Sequence, residues 1–188
     1  MIELVNGLLN VSRVDMGSFA VEPEKIQPLE IIDSVIKELE SLIVSKKLKV
    51  KTKYETAGAT LDTDKKLFRI IVQNLLSNAV KYTSEKGSVV VDVKKVREKI
   101  TFSIKDSGIG IPKKQQERIF SKLFRAENAV SSVADGTGLG LYVTKAVIEQ
   151  LGGKIGFESE ENVGTTFSFE LPIEGAKKKD GNKELSAM

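Results

Sequence analysis

The chain has 188 residues, 40% hydrophobic and 29% charged, with 29 Lys and Arg against 26 Asp and Glu and a formal net charge of +3. That suits one domain with a short appendage and is too apolar for a disordered chain. There is no Cys and no His, which excludes disulfides, thiolate or imidazole metal ligands, cysteine nucleophiles, Ser-His triads and histidine bases. Chemistry is left to carboxylates, amides, hydroxyls, Lys, Arg and the backbone, and a divalent cation, if used, is a hard one held by oxygen, such as Mg²⁺. No apolar run approaches the ~18 residues of a membrane span, and the first residues lack the basic end of a signal peptide.

Residues 1–17 read as a helix with the stripe Ile2, Val5, Leu8, Leu9 and Val11, ended by Gly17. Residues 19–27 can hold a short edge strand, because Pro23 would spoil a central one. A helix is expected from Pro28 to about Lys47, with Ile31, Ile32, Val35, Leu39, Leu42 and Ile43 inward. Residues 48–55 alternate apolar and basic, as a strand with one wet face does, and Thr60 to Asp62 reads as another short strand. The next helix, 64–82, is expected to be capped near Asp62 and Thr63. Residues 88–96 and 99–105 read as a hairpin turning at Arg97 and Glu98. From 106 to 138 the pattern loosens into glycine-containing loops with one amphipathic stretch at 113–124. A helix over 139–151 runs to Gly152-Gly153, and 154–160 with 165–171 make a last hairpin around Asn162-Val163-Gly164. The tail, 174–188, is polar and expected to be disordered. Helices mixed with adjacent hairpin strands point to an α+β two-layer sandwich, not a βαβ parallel sheet.

Three constellations carry chemistry. In Asn74-Leu75-Leu76-Ser77-Asn78-Ala79-Val80-Lys81-Tyr82-Thr83, helical spacing puts Leu67, Ile71, Asn74, Asn78 and Lys81 on one side. Asn78 falls within the apolar arc. Its amide either satisfies buried backbone groups or walls a pocket where its oxygen ligates Mg²⁺ and Lys81 meets phosphate. Asp106-Ser107-Gly108-Ile109-Gly110-Ile111-Pro112 follows a strand directly. It is either a plain glycine turn or a carboxylate at a strand end that accepts from an exocyclic amine. Gly136-Thr137-Gly138-Leu139-Gly140-Leu141 opens a helix and is either a hinge or an anion site of backbone N–H groups. It is neither a Walker A loop nor a Rossmann fingerprint.

Together and in this order, the three resemble the ATP-binding catalytic domain of sensor histidine kinases, within the GHKL ATPase/kinase superfamily. NLLSNAVKYT resembles the N box, DSGIGI the first glycine box, IFSKLFR the F box, GTGLGL the second glycine box and Gly164-Thr165-Thr166-Phe167 the last one. The resemblance spans about residues 20–173. It implies a Bergerat-type sandwich with a mixed, mostly antiparallel sheet and three main helices on one face. It further implies that Asn78 ligates Mg²⁺ with Asn74 assisting, that Lys81 contacts phosphate and that Tyr82 flanks the adenine. Asp106 would bind the adenine amino group, giving ATP over GTP, with Gly108, Gly110 and Ile111 shaping the base pocket. Lys122 and Arg125 would be the basic groups near the γ-phosphate. Gly136, Thr137, Gly138, Leu139, Gly140 and Leu141 would flank the phosphates, residues 113–137 would form a lid, and Thr166 would add a water-mediated contact near Asp106.

Hydrolytic members of the superfamily carry a Glu four residues before the metal-ligating Asn. Asn74 stands there in this chain. An amide cannot deprotonate water at neutral pH, whereas a neutral imidazole needs no base. The resemblance therefore implies a kinase and not a gyrase-like or chaperone-like ATPase.

Residues 1–19 resemble the end of the second helix of the dimerisation and phosphoacceptor hairpin. Without a His the chain cannot be its own acceptor. It is expected to be a piece of a longer kinase cut inside the hairpin, or a stand-alone module acting on another chain. Its half-hairpin would expose an apolar stripe, which favours the first. The implied partners are ATP, the His-bearing dimerisation domain and a response regulator. The implied location is cytoplasmic, with a parent that is membrane-anchored or not. Alternatives are a non-catalytic ATP-binding module and a Ser/Thr kinase of the anti-sigma type. Basic residues are interspersed with acids, so nucleic acid is not an expected partner.

Overall fold

The structure is a computed structural model that describes residues 11–12, 20–56, 58–133 and 136–175. The helix read over 1–17 and the tail after Gly175 lie outside the described residues, apart from a helical Val11-Ser12 whose valine is buried.

Strand β1 (Glu24–Ile26) pairs antiparallel with β3 (Leu61–Thr63) in a small sheet. The main sheet has the order β2-β4-β5-β7-β6, built from β2 (Lys49–Glu55), β4 (Ser88–Val96), β5 (Lys99–Asp106), β6 (Lys154–Glu160) and β7 (Gly164–Pro172). Only β2–β4 is parallel, so the sheet is mostly antiparallel. Strand alternation turns Val89, Val91, Val93, Ile100, Phe102, Ile104, Phe167, Phe169 and Leu171 to one buried face.

That face is covered by helices. The longest, α3 (Lys65–Tyr82), packs on β5 and contacts both α1 (Pro28–Glu38) and α5 (Gly140–Gln150). Its buried residues run from Leu67 to Val80 at helical spacing. Phe68 of α3 meets Phe102 at 5.4 Å between ring centroids, and Phe102 stacks on Phe169 at 4.5 Å, so one aromatic column crosses from helix to sheet. The result is the α+β two-layer sandwich expected from the sequence. Among the described residues no helix is long and apolar enough to cross a membrane.

Three local expectations are corrected. The helix expected from Pro28 to Lys47 is two: α1 ends at Leu39, and α2 (Glu40–Ser45) follows at once. None of α2 is buried, so no packing face holds it in line with α1. The cap of α3 is Asp64, not Asp62 or Thr63. Its Oδ1 accepts from the N–H groups of Lys66 and Leu67, and its Oδ2 accepts from Glu22 N–H at 2.9 Å. The cap has to stand immediately before the first helical residue, and only Asp64 does. The stretch 113–124 is a short 3₁₀ segment, Lys113–Arg118, and an additional helix α4 (Glu127–Ser132) follows it.

Candidate functional site

A cavity of about 370 Å³ opens between α3, the end of β5 and the glycine-containing segment before α5. The separate constellations of the sequence meet in it. From α3 come Asn74, Asn78, Lys81 and Tyr82; from the end of β5 and the loop after it, Asp106, Gly110 and Ile111; from the α5 entry, Gly136, Thr137, Gly138, Gly140 and Leu141.

Asp106 closes one end. It is the last residue of β5, paired with Val89 on one side and Thr165 on the other, and it is 7% exposed. Its Oδ1 accepts two N–H bonds, from Gly108 at 2.8 Å and Thr165 at 3.2 Å. Burial pushes its carboxyl above the ordinary carboxylate range, and these two N–H bonds oppose that push. With one oxygen engaged twice, the other is left to accept from a ligand. Gly110 has φ +62°, and a Cβ there would stand 2.0 Å from Glu160 O, so the loop can lie against the β6 end only with glycine.

The rest of the lining carries amides, a cation and backbone. Asn74 Nδ2 donates to Thr144 Oγ1 at 3.1 Å and to Gly140 O at 3.4 Å, which joins α3 to the start of α5. Asn78 is half-buried at the cavity wall one turn further on, with Lys81 beyond it. The first turn of α5 has no side-chain cap of its own residues, and its N-terminus carries the positive end of the helix dipole. Gly138 has φ +69°, and a Cβ there would stand 2.7 Å from the backbone of Leu123, so the F-box segment lies directly on this loop. Lys46 braces α3 from outside by donating to Val80 O and Lys81 O at 2.9 and 2.8 Å.

Several expected residues sit elsewhere. Thr165, not Thr166, lines the cavity and bonds Asp106. Alternation along β7 buries Thr165 and turns Thr166, the partner of Lys105, to the other face. Lys122 is outside the lining and places its Nζ 5.1 Å from the centre of the Tyr142 ring. Arg125 lines the cavity, but its guanidinium is spent on Ala129 O, Val133 O and Gly136 O, at the end of α4 and the start of the glycine segment. Leu139 is buried beneath the loop, and Gly108 acts through its N–H to Asp106 without lining the cavity.

Sequence reasoning missed Ile109, Phe124, Asn128 and Phe167, which are among the residues that line the wall. Asn128 on α4 donates to the carbonyls of Gly110 and Ile109 at 3.0 and 3.3 Å, so α4 is pinned across the loop after β5. Nothing in the periodicity of so short a helix marks that residue. Among the described residues no cluster of three acidic side chains could hold a metal alone. A cation here would rest on Asn78 and on oxygens brought by a ligand, which suits Mg²⁺.

A two-layer sandwich with a carboxylate-ended cavity between helices and a glycine-containing closing segment defines an ATPase-type nucleotide-binding domain. The chain belongs to the family described as "Histidine kinase-, DNA gyrase B-, and HSP90-like ATPase", which matches residues 63–175. It is 33% identical over 182 residues to sensor histidine kinase WalK of Bacillus subtilis (strain 168), covering 96% of this chain and 30% of WalK. Among solved structures, the catalytic domain of histidine kinase ThkA is 28% identical with a TM-score of 0.71, over 81% of this chain and 97% of that one. Full-length ShkA in complex with AMPPNP is 25% identical with a TM-score of 0.79, over 93% of this chain and 36% of that one. A further structure holds ThkA with the response regulator protein TrrA. The chain thus spans under a third of WalK's length.

Proposed function

We propose that residues 20–173 form the Mg-ATP-binding catalytic domain of a sensor histidine kinase, which donates the γ-phosphoryl group to a His on a dimerisation domain. The carrying observation is the lining of the cavity. A buried carboxylate with one oxygen free shares it with the Asn78 amide, the Lys81 cation and the α5 N-terminus. An adenine nucleotide brings the matching groups, an amine on its base and anionic phosphates.

In this reading Asp106 accepts from the adenine amino group, Tyr82 and Ile111 flank the base, and Asn78 and Lys81 face the phosphates. Mg²⁺, when bound, neutralises phosphate charge. Asn74, tied to Thr144 and Gly140, holds α3 and α5 together and offers no base for water. The acceptor imidazole must come from another domain, because this chain has no His. The AMPPNP bound in the ShkA structure and the response regulator bound in the ThkA structure support ATP as substrate and a response regulator as partner. As with such kinases, the domain would work in the cytoplasm.

Mixing the chain with a His-bearing hairpin domain and γ-labelled ATP tests this. Acid-labile label on the His is expected. ATP binding with no label on the His would refute the kinase reading, and acid-stable label on a partner Ser would replace it with the anti-sigma type.

A further inference from the structure

Ser159, the penultimate residue of β6, belongs to none of the glycine boxes, yet it ties together two residues that line the cavity, Ile111 and Thr165. It pairs with Thr165 across β6–β7, and its side chain is half-buried. Its Oγ accepts from Ile111 N–H at 2.9 Å, reaches Gly164 O at 3.1 Å and lies 2.8 Å from Thr165 Oγ1. The Ser159 carbonyl is held as well, by Gln116 Nε2 at 3.0 Å, and the same nitrogen donates to Ile111 O.

A hydroxyl has one proton to give and two lone pairs. Gly164 O can only accept, so the 3.1 Å contact uses the Ser159 proton. One Ser159 lone pair takes Ile111 N–H. The remaining lone pair must then receive the Thr165 proton across the 2.8 Å contact. This assignment satisfies every partner, and it leaves the Thr165 oxygen with only acceptor capacity. Thr165 is buried beside Asp106, whose Oδ1 it already bonds through its own N–H. The base end of the cavity is therefore walled by two acceptors on adjacent strands.

We propose that Ser159 is a positioning residue for base recognition: by holding the Thr165 proton it makes the Thr165 oxygen a pure acceptor, so the pocket takes a 6-amino purine and rejects a 6-oxo purine. An exocyclic amine brings two N–H donors to that wall. A 6-oxo group brings a third acceptor and leaves the wall unsatisfied. The proposal rests on the nucleotide assignment of the cavity and goes beyond it in naming what sets the choice of base.

Calorimetry with ATP, with ITP (which carries oxygen at the 6-position) and with inorganic triphosphate, each with Mg²⁺, tests it on the wild type, Ser159→Ala, Ser159→Thr and Thr165→Val. Wild type should prefer ATP. Ser159→Ala should lose ATP affinity roughly tenfold while ITP and triphosphate change little, so the ATP/ITP ratio collapses. Ser159→Thr keeps a hydroxyl and should keep the ratio. Thr165→Val leaves the Ile111 and Gly164 bonds of Ser159 in place. It should collapse the ratio as Ser159→Ala does, and the double variant should be no worse than either single one. Equal loss of ATP and ITP in Ser159→Ala, or an unchanged ratio in Thr165→Val, overturns the proposal. A wild type that binds neither nucleotide overturns the nucleotide assignment, and the proposal with it.

Discussion

Asp106 concentrates the specificity of the cavity in one carboxyl. Burial raises its titration above the ordinary Asp range, and protonation would put a donor on the free oxygen, so the neutral form accepts less well from a base amine than the carboxylate does. Affinity for an adenine nucleotide should therefore fall as pH falls through that raised value, at a higher pH than an exposed Asp would give. Asp106→Asn should weaken binding by roughly tenfold or more and remove this component of the pH dependence, which titration calorimetry at several pH values measures. Stability of the ligand-free chain moves the other way. The folded state keeps a proton that the unfolded state releases, so stability is lost as pH rises from the ordinary Asp value through the raised one. Asn78 is the matching residue at the other end. Asn78→Ala should erase the gain in ATP affinity that Mg²⁺ confers and leave metal-free binding nearly unchanged, as parallel titrations with Mg²⁺ and with EDTA would show.

Helix α3 carries Asn74, Asn78, Lys81 and Tyr82 into the cavity wall, so its two ends matter to the site. Asp64 caps its start and also holds Glu22 N–H; Lys46 holds its last carbonyls from α2. Asp64→Ala should lower unfolding stability by ~1–2 kcal/mol, which thermal melting would register as a drop of several degrees. Lys46→Met keeps the aliphatic stem and removes the charge. It should cost about 1 kcal/mol and loosen the turn that presents Lys81. The sequence showed that α3 exists and which face it buries, through the run from Leu67 to Val80. It did not show the cap, because three adjacent residues, Asp62, Thr63 and Asp64, are all competent caps. Only the end of β3 at Thr63, fixed by its pairing with β1, decides that Asp64 stands immediately before the first helical turn. The break at Leu39 was likewise invisible, since the residues on both sides keep helical spacing.

The cavity is assembled from residues as far apart in the chain as Leu42 and Phe167, so ligand binding and folding are coupled across the whole domain. Mg-ATP at a hundredfold excess over its dissociation constant should stabilise the chain by about 2.7 kcal/mol against unfolding. That appears as a rise in melting temperature that saturates logarithmically with nucleotide. Absence of any shift with ATP, where the same assay detects a known ligand of a related domain, would count against the proposed site. At this scale Arg125 and Asn128 have a structural part. They fasten α4 to the glycine segment and to the loop after β5, both of which line the cavity.

Local physics decided much on its own: the alternation of the strands, the helical stripe of α3, the turns at Gly110 and Gly138, and the absence of any imidazole in the chain. These depend on neighbours within a few residues, and so they are written in spacing and composition. Tertiary structure alone decided that Thr165 and not Thr166 faces Asp106, that Arg125 turns to backbone carbonyls, and that Ser159 meets Thr165 Oγ1. The first and last depend on which strands pair and in what register, and the Arg125 contacts on where α4 packs. A shift of one residue reverses which side chain enters the site, and nothing within a single strand records its partner.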